Sequence, residues 1–118
     1  MAYVINAGDL RTPCTVEEAV TEYDSNAEPT VIWENVFGEG NWLWCAVDIH
    51  TEEREEGGRR FVMETATITT RFSPRVNERC RIYPKSEREK PYLIESAQKI
   101  NHREGWMVIK AARRRAAL

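Results

Sequence analysis

The sequence predicts an all-β fold, a small β-barrel of about six or seven strands with long loops and flexible terminal arms. Apolar and polar residues alternate along several short segments, which is typical of strands with one buried face. Threonine, valine and isoleucine are frequent in these segments and favour strands over helices. The chain has 118 residues and 42% hydrophobic residues, which suits a single domain spanning residues 1–118.

The first two strands are predicted on either side of a turn. Residues 14–20 have β-branched residues at alternate positions, and residues 30–37 follow the turn-forming segment 24–29. These two strands are therefore expected to pair as a hairpin. Residues 16–23 could alternatively form one or two turns of helix, for which the signal is weaker.

The third and fourth strands are predicted on either side of a charged segment. Apolar residues occupy every second position from Leu43 to Ile49, which indicates a long strand. Residues 51–60 contain four glutamates, three arginines and two adjacent glycines but no apolar residue, which predicts a mobile loop. Residues 61–72 are rich in threonine and favour another long strand.

Three further strands are predicted in the last third of the chain. They are expected at residues 79–83, 92–100 and 106–111, with polar connections at residues 84–91 and 101–105. The short connection before the last strand predicts that the final two strands form a hairpin.

Both ends of the chain are predicted to be arms. Residues 1–12 precede the first strand, and residues 112–118 place Arg113, Arg114 and Arg115 between alanines with nothing obvious to bury. A helix in this short basic tail would be marginal in isolation. We therefore expect the tail to be frayed in an isolated subunit.

Charge is segregated along the sequence. Residues 1–57 hold thirteen acidic and two basic side chains, whereas residues 58–118 hold six acidic and fifteen basic ones. The two halves therefore carry formal charges of −11 and +9. Such blocks can attract each other within one copy of the molecule or between copies.

A basic stripe is predicted if Arg71 and Arg81 lie on one outer face of the barrel. Such a stripe could contact phosphates or an acidic neighbour. The alternative is a solvated strand face without a partner. The acidic residues between positions 48 and 64 are an equally good counterpart, either within the subunit or across an interface.

Catalytic and metal-binding functions find no support in the sequence. Cys14, Cys45 and Cys80 are odd in number and widely spaced, so they predict buried free thiols rather than a disulfide framework or a zinc site. His50 and His102 lie in polar surroundings without a catalytic motif and are expected on the surface. We therefore expect no enzymatic activity, no metal and no cofactor.

Membrane insertion is also not predicted. The apolar runs are far shorter than the roughly 20 residues that cross a bilayer, and the first residues lack a signal-peptide pattern. We therefore expect a soluble, intracellular protein without membrane partners.

A series of short motifs occurs in order along nearly the whole chain. The motifs are Gly8-Asp9-Leu10-Arg11, Trp33, Trp44-Cys45-Ala46-Val47, Arg59-Arg60-Phe61, Thr70-Arg71-Phe72, Arg81-Ile82-Tyr83, Tyr92-Leu93-Ile94-Glu95-Ser96-Ala97 and a last strand starting at Trp106. Each motif alone is weak. The ordered series resembles the phage head-tail joining proteins, which are head closure or connector proteins of long-tailed phages and prophages.

The resemblance implies a structural virion protein without cofactors. Such a protein would form a ring, expected to be a dodecamer, that closes the DNA-filled head and provides the tail docking surface. Its partners would be the portal or adaptor ring above and the tail terminator below, with packaged DNA nearby and assembly in the host cytoplasm. A ring needs two different patches that fit each other, and acidic and basic halves meet this requirement.

Candidate contact residues follow from the resemblance and the charge pattern. The loop at residues 51–61 is hypothesised to change conformation on assembly, and it would pack on a neighbour or project toward the channel. Residues 8–11 and 113–115 are hypothesised to become ordered only against a partner ring. The candidates for subunit or partner contacts are Leu10, Arg11, Glu52, Glu53, Glu55, Glu56, Arg59, Arg60, Phe61, Arg71 and Arg81, with Arg113, Arg114 and Arg115 in the partner-ordered tail.

Two other functions remain open on the sequence alone. A tail terminator or tail completion ring can share the small-barrel architecture and the lack of catalysis. A nucleic-acid-binding barrel of the OB type is favoured by the basic stripe. It is disfavoured because the aromatic residues needed for base stacking are not interleaved with those arginines.

Overall fold

The computed structural model describes residues 7–87, 90–100 and 105–116. In these residues the chain forms one seven-stranded antiparallel sheet, which confirms the all-β prediction. Short 3₁₀ turns occur at Ala7–Asp9 and Lys85–Glu87. The strands are β1 (Thr12–Tyr23), β2 (Pro29–Asn35), β3 (Leu43–Glu56), β4 (Arg59–Arg71), β5 (Cys80–Pro84), β6 (Tyr92–Lys99) and β7 (Trp106–Ala116).

The sheet closes in a ring because β1 has partners on both of its edges. The strand order is β2-β1-β3-β4-β7-β6-β5, and β5 pairs back to β1. In this closing pair Val16 lies opposite Ile82. On its other edge, β1 pairs with β3 at residues 12–14 and with β2 at residues 17–23. The hairpins predicted for the first two and the last two strands are confirmed.

The core fills the interior of the closed sheet. Alternate residues of β4 point inward, so that Ile68 of β4 lies opposite Ile109 of β7, and both are buried. The three cysteines are buried and unpaired in disulfides, as predicted. The core residues include Cys14, Val16, Cys45, Ala66, Ile68, Cys80, Ile82, Tyr92, Ile94, Met107, Ile109 and Ala111.

The prediction of a mobile loop at residues 51–60 is wrong. β3 continues to Glu56 and β4 begins at Arg59, with their register maintained to the last pair. Gly57 and Gly58 form the two-residue turn with φ angles of 59° and 79°. Both angles lie in the left-handed region that a tight hairpin turn requires and that glycine adopts without steric cost. The charged segment is therefore the end of a long hairpin.

The prediction of a frayed basic tail is wrong for residues 112–116. These residues belong to β7 and pair with β4 up to the last pair, Phe61 with Ala116. Thr12 likewise belongs to β1 rather than to an amino-terminal arm. Residues 7–11 of the predicted amino-terminal arm form a 3₁₀ turn and a short connection before β1, whereas residues 1–6 and 117–118 lie outside the described residues.

The subunit is elongated. Its radius of gyration is 16.1 Å and its extents are 52 × 40 × 25 Å. A compact chain of this length has a radius of gyration of about 13.5 Å. Two paired extensions lie beyond the closed part of the sheet: the outer end of the β1–β2 hairpin and the outer end of β3, β4 and β7.

Candidate assembly interfaces

The outer end of β3, β4 and β7 is a three-stranded extension that we call the arm. It consists of residues 51–56, 59–64 and 113–116. Each row across it joins one residue of each strand, and the first row is Thr51, Glu64 and Arg113. β6 pairs with β7 only up to Ala112, so the arm starts where the closed sheet ends.

A buried carboxylate lies at the base of the arm. The Glu64 side chain is only 6% exposed and contacts two arginines. Arg113 donates from Nε and Nη2 to Glu64 Oε2 over 2.6 Å, and Arg115 Nε lies 2.9 Å from Oε1. The Tyr92 hydroxyl donates to Oε2 over 3.2 Å. Both carboxylate oxygens therefore have charged partners, as a buried carboxylate requires.

Arg113 also connects the arm to the segment between β5 and β6. Its Nη1 donates to the Lys90 carbonyl over 2.7 Å and to Glu87 Oε2 over 3.2 Å. Its guanidinium lies 4.3 Å from the centre of the Tyr92 ring. Arg113 is thus a structural anchor within one subunit. These contacts hold its side chain without a partner ring, so the hypothesis that it becomes ordered only against one is not needed to account for its position.

The environment of Glu64 changes its acidity. Burial acts to raise the pKa of its carboxyl, but the hydrogen bond and charge of Arg113 and the charge of Arg115 outweigh burial and lower the pKa. Burial raises the pKa of Tyr92 to about 12, so its hydroxyl remains a donor at neutral pH. The cluster therefore has its full set of ion pairs at neutral pH.

Stability should depend on pH through Glu64. A lowered folded-state pKa means that the unfolded chain takes up the proton first as pH falls. The stabilisation from Glu64 is therefore complete above the unfolded pKa near 4.5 and decreases below it. We expect wild-type protein to lose more stability than the Glu64→Gln variant between pH 6 and pH 3, measured by urea unfolding. Parallel losses in the two proteins would contradict this role.

The flat faces of the arm carry exposed ion pairs between glutamates of β3 and arginines of β4 and β7. Arg60 lies 4.0 Å from Glu53, and Arg114 lies 3.7 Å from Glu56, with all four side chains more than half exposed. The Arg114 guanidinium also lies 3.7 Å from the centre of the Phe61 ring. Part of the charge segregation is thus neutralised within the subunit.

The arm brings together most of the predicted contact residues. In its two outermost rows, Glu55 of β3 lies opposite Arg60 of β4 and Glu56 lies opposite Arg59. The predicted residues in the arm are Glu52, Glu53, Glu55, Glu56, Arg59, Arg60, Phe61, Arg113, Arg114 and Arg115.

Arg71 and Arg81 do not form a shared stripe. They lie on β4 and β5, which are separated in the sheet by β7 and β6. Arg71 lies over the Trp106 ring at 5.1 Å. Arg81 donates to Glu17 over 2.8 Å. Arg71 is also at the opposite end of β4 from the arm, about 40 Å from Arg59 at the usual rise per residue.

Leu10 and Arg11 lie just before β1. Leu10 is half-buried and Arg11 is exposed, and Arg11 Nε donates to the Gly8 carbonyl over 3.1 Å. The Arg11 amide donates to the Asp9 carbonyl over 3.0 Å. These contacts are local, and they leave the predicted role of the two residues in partner contacts a prediction.

An aromatic groove that the sequence did not predict lies on the outer surface. The groove has a volume of about 650 Å³, and its lining includes Trp33, Trp42 and Lys85. Lys85 Nζ lies 3.9 Å from the centre of the Trp42 ring, and the half-exposed Trp44 meets Trp42 edge to face. The tryptophans were visible in the sequence, but only the pairing of β1 with β2, β3 and β5 brings them together.

The groove floor contains a second buried carboxylate. Glu17 is 9% exposed and accepts hydrogen bonds from Arg81 over 2.8 Å and from the Tyr83 hydroxyl over 3.0 Å. The Arg81 guanidinium in turn lies 4.1 Å from the centre of the Trp33 ring. Glu17 therefore holds the side chains of Arg81 and Tyr83, and Arg81 in turn lies over Trp33. Because the Glu17 carboxylate already has these partners, this part of the groove is a preorganised polar surface and not an open site for a cation.

Metal-ligating side chains do not cluster in the described residues. In residues 7–87, 90–100 and 105–116, no group of three or more His, Cys, Asp and Glu side chains is placed to hold a metal ion. A hydrogen bond with Cys45 and burial raise the pKa of the Cys14 thiol, which disfavours a reactive thiolate. His50 is exposed on β3, and His102 lies outside the described residues. The described part also contains no helix long and apolar enough to cross a membrane.

Comparisons with known proteins agree with the fold and identify the family. A solved structure titled "Virion of native gene transfer agent (GTA) particle" matches with a TM-score of 0.65 and 17% identity, covering 89% of this chain and 94% of that chain. Curated protein sequences give no significant match. The family model described as phage head completion protein matches residues 5–114. The chain therefore belongs to the phage head completion protein family, a family of structural virion proteins that act in head assembly.

Proposed function

We propose that the protein forms a ring of the head-tail connector that closes the DNA-filled head and provides the docking surface for the tail. The observation that carries this proposal is the family match over residues 5–114. The ring would have the portal or adaptor ring on one side and the tail terminator on the other. It would assemble in the host cytoplasm, and the resemblance to head-tail joining proteins suggests twelve copies.

The shape and charge of the subunit support a ring. A ring requires a contact between two different patches of neighbouring copies. The arm has an acidic strand, β3, along one side and a basic strand, β7, along the other. The arm is a hydrogen-bonded hairpin extended by a third strand, so on assembly it would act as a preformed unit rather than as a loop that becomes ordered.

A nucleic-acid-binding role is the second candidate. Two basic side chains lie over aromatic rings, Arg81 over Trp33 and Lys85 over Trp42, and these contacts favour this role. However, the same groove is lined by Glu17, Glu34 and Glu39, and carboxylates repel the phosphates of a nucleic acid. The connector role is therefore the better supported one.

Electron microscopy of lysates tests the connector role. The gene would be deleted from the producing phage or prophage and then restored on a plasmid. We expect empty heads beside separate tails of normal length in the deletion lysate, and tailed, DNA-filled particles after complementation. DNA-filled heads beside tails of abnormal length would instead indicate a tail terminator. Intact infectious particles without the protein would reject both roles.

A further inference from the structure

Two strand edges of the arm have no neighbour within the described part of the subunit. β4 lies along one edge of β3, but β1 covers the other edge only at residues 43–45. Similarly, β4 lies along one edge of β7, and β6 covers the other edge only up to Ala112. In the arm, β3 and β7 therefore each present unpaired backbone N–H and C=O groups, on opposite sides of the same three-stranded sheet.

The two free edges carry opposite charge. Residues 46–56 of β3 include five carboxylates and one arginine. β7 has four basic residues, three of them in the arm, and no acidic one. Charges on a free edge often serve only to prevent aggregation. Here, however, two copies of the β3 edge repel each other, as do two copies of the β7 edge, whereas β3 attracts β7.

The geometry of the arm makes the β3–β7 contact compatible with a ring. β3 and β7 are both antiparallel to β4 and therefore run parallel to each other. In a ring related by rotation alone, the arms of all copies point the same way, so the β3 of one copy meets the β7 of the next as a parallel strand. Glu52 is level with Arg114, and Glu53 is level with Arg115, because each pair shares a row.

We propose that neighbouring copies join through these edges, with residues 51–54 of β3 forming a parallel ladder with residues 113–116 of the next copy's β7. The result would be a continuous β-sheet that passes from subunit to subunit around the ring. Glu52 and Glu53 of one copy would then lie beside Arg114 and Arg115 of the next. This inference rests on the proposed ring and names the surface that holds it together.

Disulfide crosslinking between the two edges tests the proposal. Neighbouring strands place paired Cα atoms about 4.8 Å apart, which is within the disulfide range of about 4.4–6.8 Å. Within one subunit the same positions are separated by β4, at roughly 9.6 Å, so they are too far apart to bond. The three native cysteines are buried and can be kept.

The double variant Glu52→Cys with Arg114→Cys would be incorporated into particles by complementation and oxidised with copper phenanthroline. On a non-reducing denaturing gel we expect loss of the monomer band and a ladder of multimers. Each single variant should remain monomeric, since a head-to-tail contact never brings two copies of one edge together. A dimer from either single variant, or no ladder from the double variant in DNA-filled particles, would overturn the edge pairing and leave the connector role standing.

A charge reversal covers the case in which the cysteine variant is not incorporated. Changing Glu52 to lysine would place like charges beside Arg114 of the next copy, and we expect the protein to be lost from particles. Adding Arg114→Glu restores opposite charges without altering the Glu64 cluster and should restore incorporation. Equal incorporation of the two charge variants would overturn the proposal. If wild-type protein is absent from DNA-filled particles, the proposed function itself is wrong.

Discussion

Replacing Arg113 with methionine is expected to lower the free energy of unfolding by about 3 kcal/mol. The substitution leaves the buried Glu64 carboxylate without its shortest contacts, which are now 2.6 Å long. Removing one partner of a buried ion pair typically costs about 3–5 kcal/mol. We expect the lower end of that range because Arg115 also contacts Glu64, at 2.9 Å. Urea unfolding at neutral pH would measure the change.

The adjacent position provides a matched control for Arg113. Arg114→Met makes the same chemical change, but the Arg114 side chain is 56% exposed and its partner Glu56 is 72% exposed. Exposed ion pairs contribute about 0–1 kcal/mol, so this variant should be nearly as stable as wild type. Adding Glu64→Gln to Arg113→Met should recover part of the loss, because it removes the unpaired buried charge. Equal effects of the two arginine substitutions would contradict the anchoring role.

Truncating Ile82 to alanine should also be strongly destabilising, by about 2–5 kcal/mol. Ile82 is fully buried on β5, the strand that closes the sheet. It lies opposite Val16 on one side and Tyr92 on the other, so the cavity left by its truncation would face both β1 and β6. Thermal or urea unfolding would measure the loss. Hydrogen exchange should show reduced protection in β1 and β5 before the rest of the sheet.

Ile49→Ala is the control for Ile82. It removes the same atoms from a β3 position that is 44% exposed, where little apolar surface is lost from the core. We expect a loss below about 1 kcal/mol, mainly from the lower strand propensity of alanine. If the two isoleucine variants lost the same stability, the packing role of the closing strand would be wrong.

The sequence predicts the strands that have an alternating apolar pattern, but it does not predict the arm. Alternation of apolar residues locates a strand by its buried face, and β3 up to Ile49 has one. Beyond Ile49 every residue of β3 is exposed, and the strand is held by its register with β4 and by the two-glycine turn. The glycine pair was a signal for a two-residue hairpin turn, but the high charge favoured a loop instead.

The candidate sites depend on contacts between residues that are distant in sequence. In the sequence, Arg113 lies in a segment with the pattern of a free basic tail. In the structure it contacts Glu64, which lies 49 positions earlier in the chain. Arg81 and Glu17 are 64 positions apart, and their contact holds the Glu17 carboxylate that lines the groove. Spacing along the chain carries no information about such pairs, so sequence reasoning identified the charges correctly but not their partners.

The long separation between β1 and β5 has a consequence for how the chain folds. The β3–β4 hairpin needs only local contacts, whereas closure of the sheet must bring together segments that are 64 residues apart. Folding slows as such distant pairings become dominant. During synthesis β1 therefore emerges long before its closing partner exists, and the edge of β1 that pairs with β5 stays unpaired until β5 has been made. We expect sheet closure to be the slowest step of folding and newly made chains to depend on chaperones in that interval.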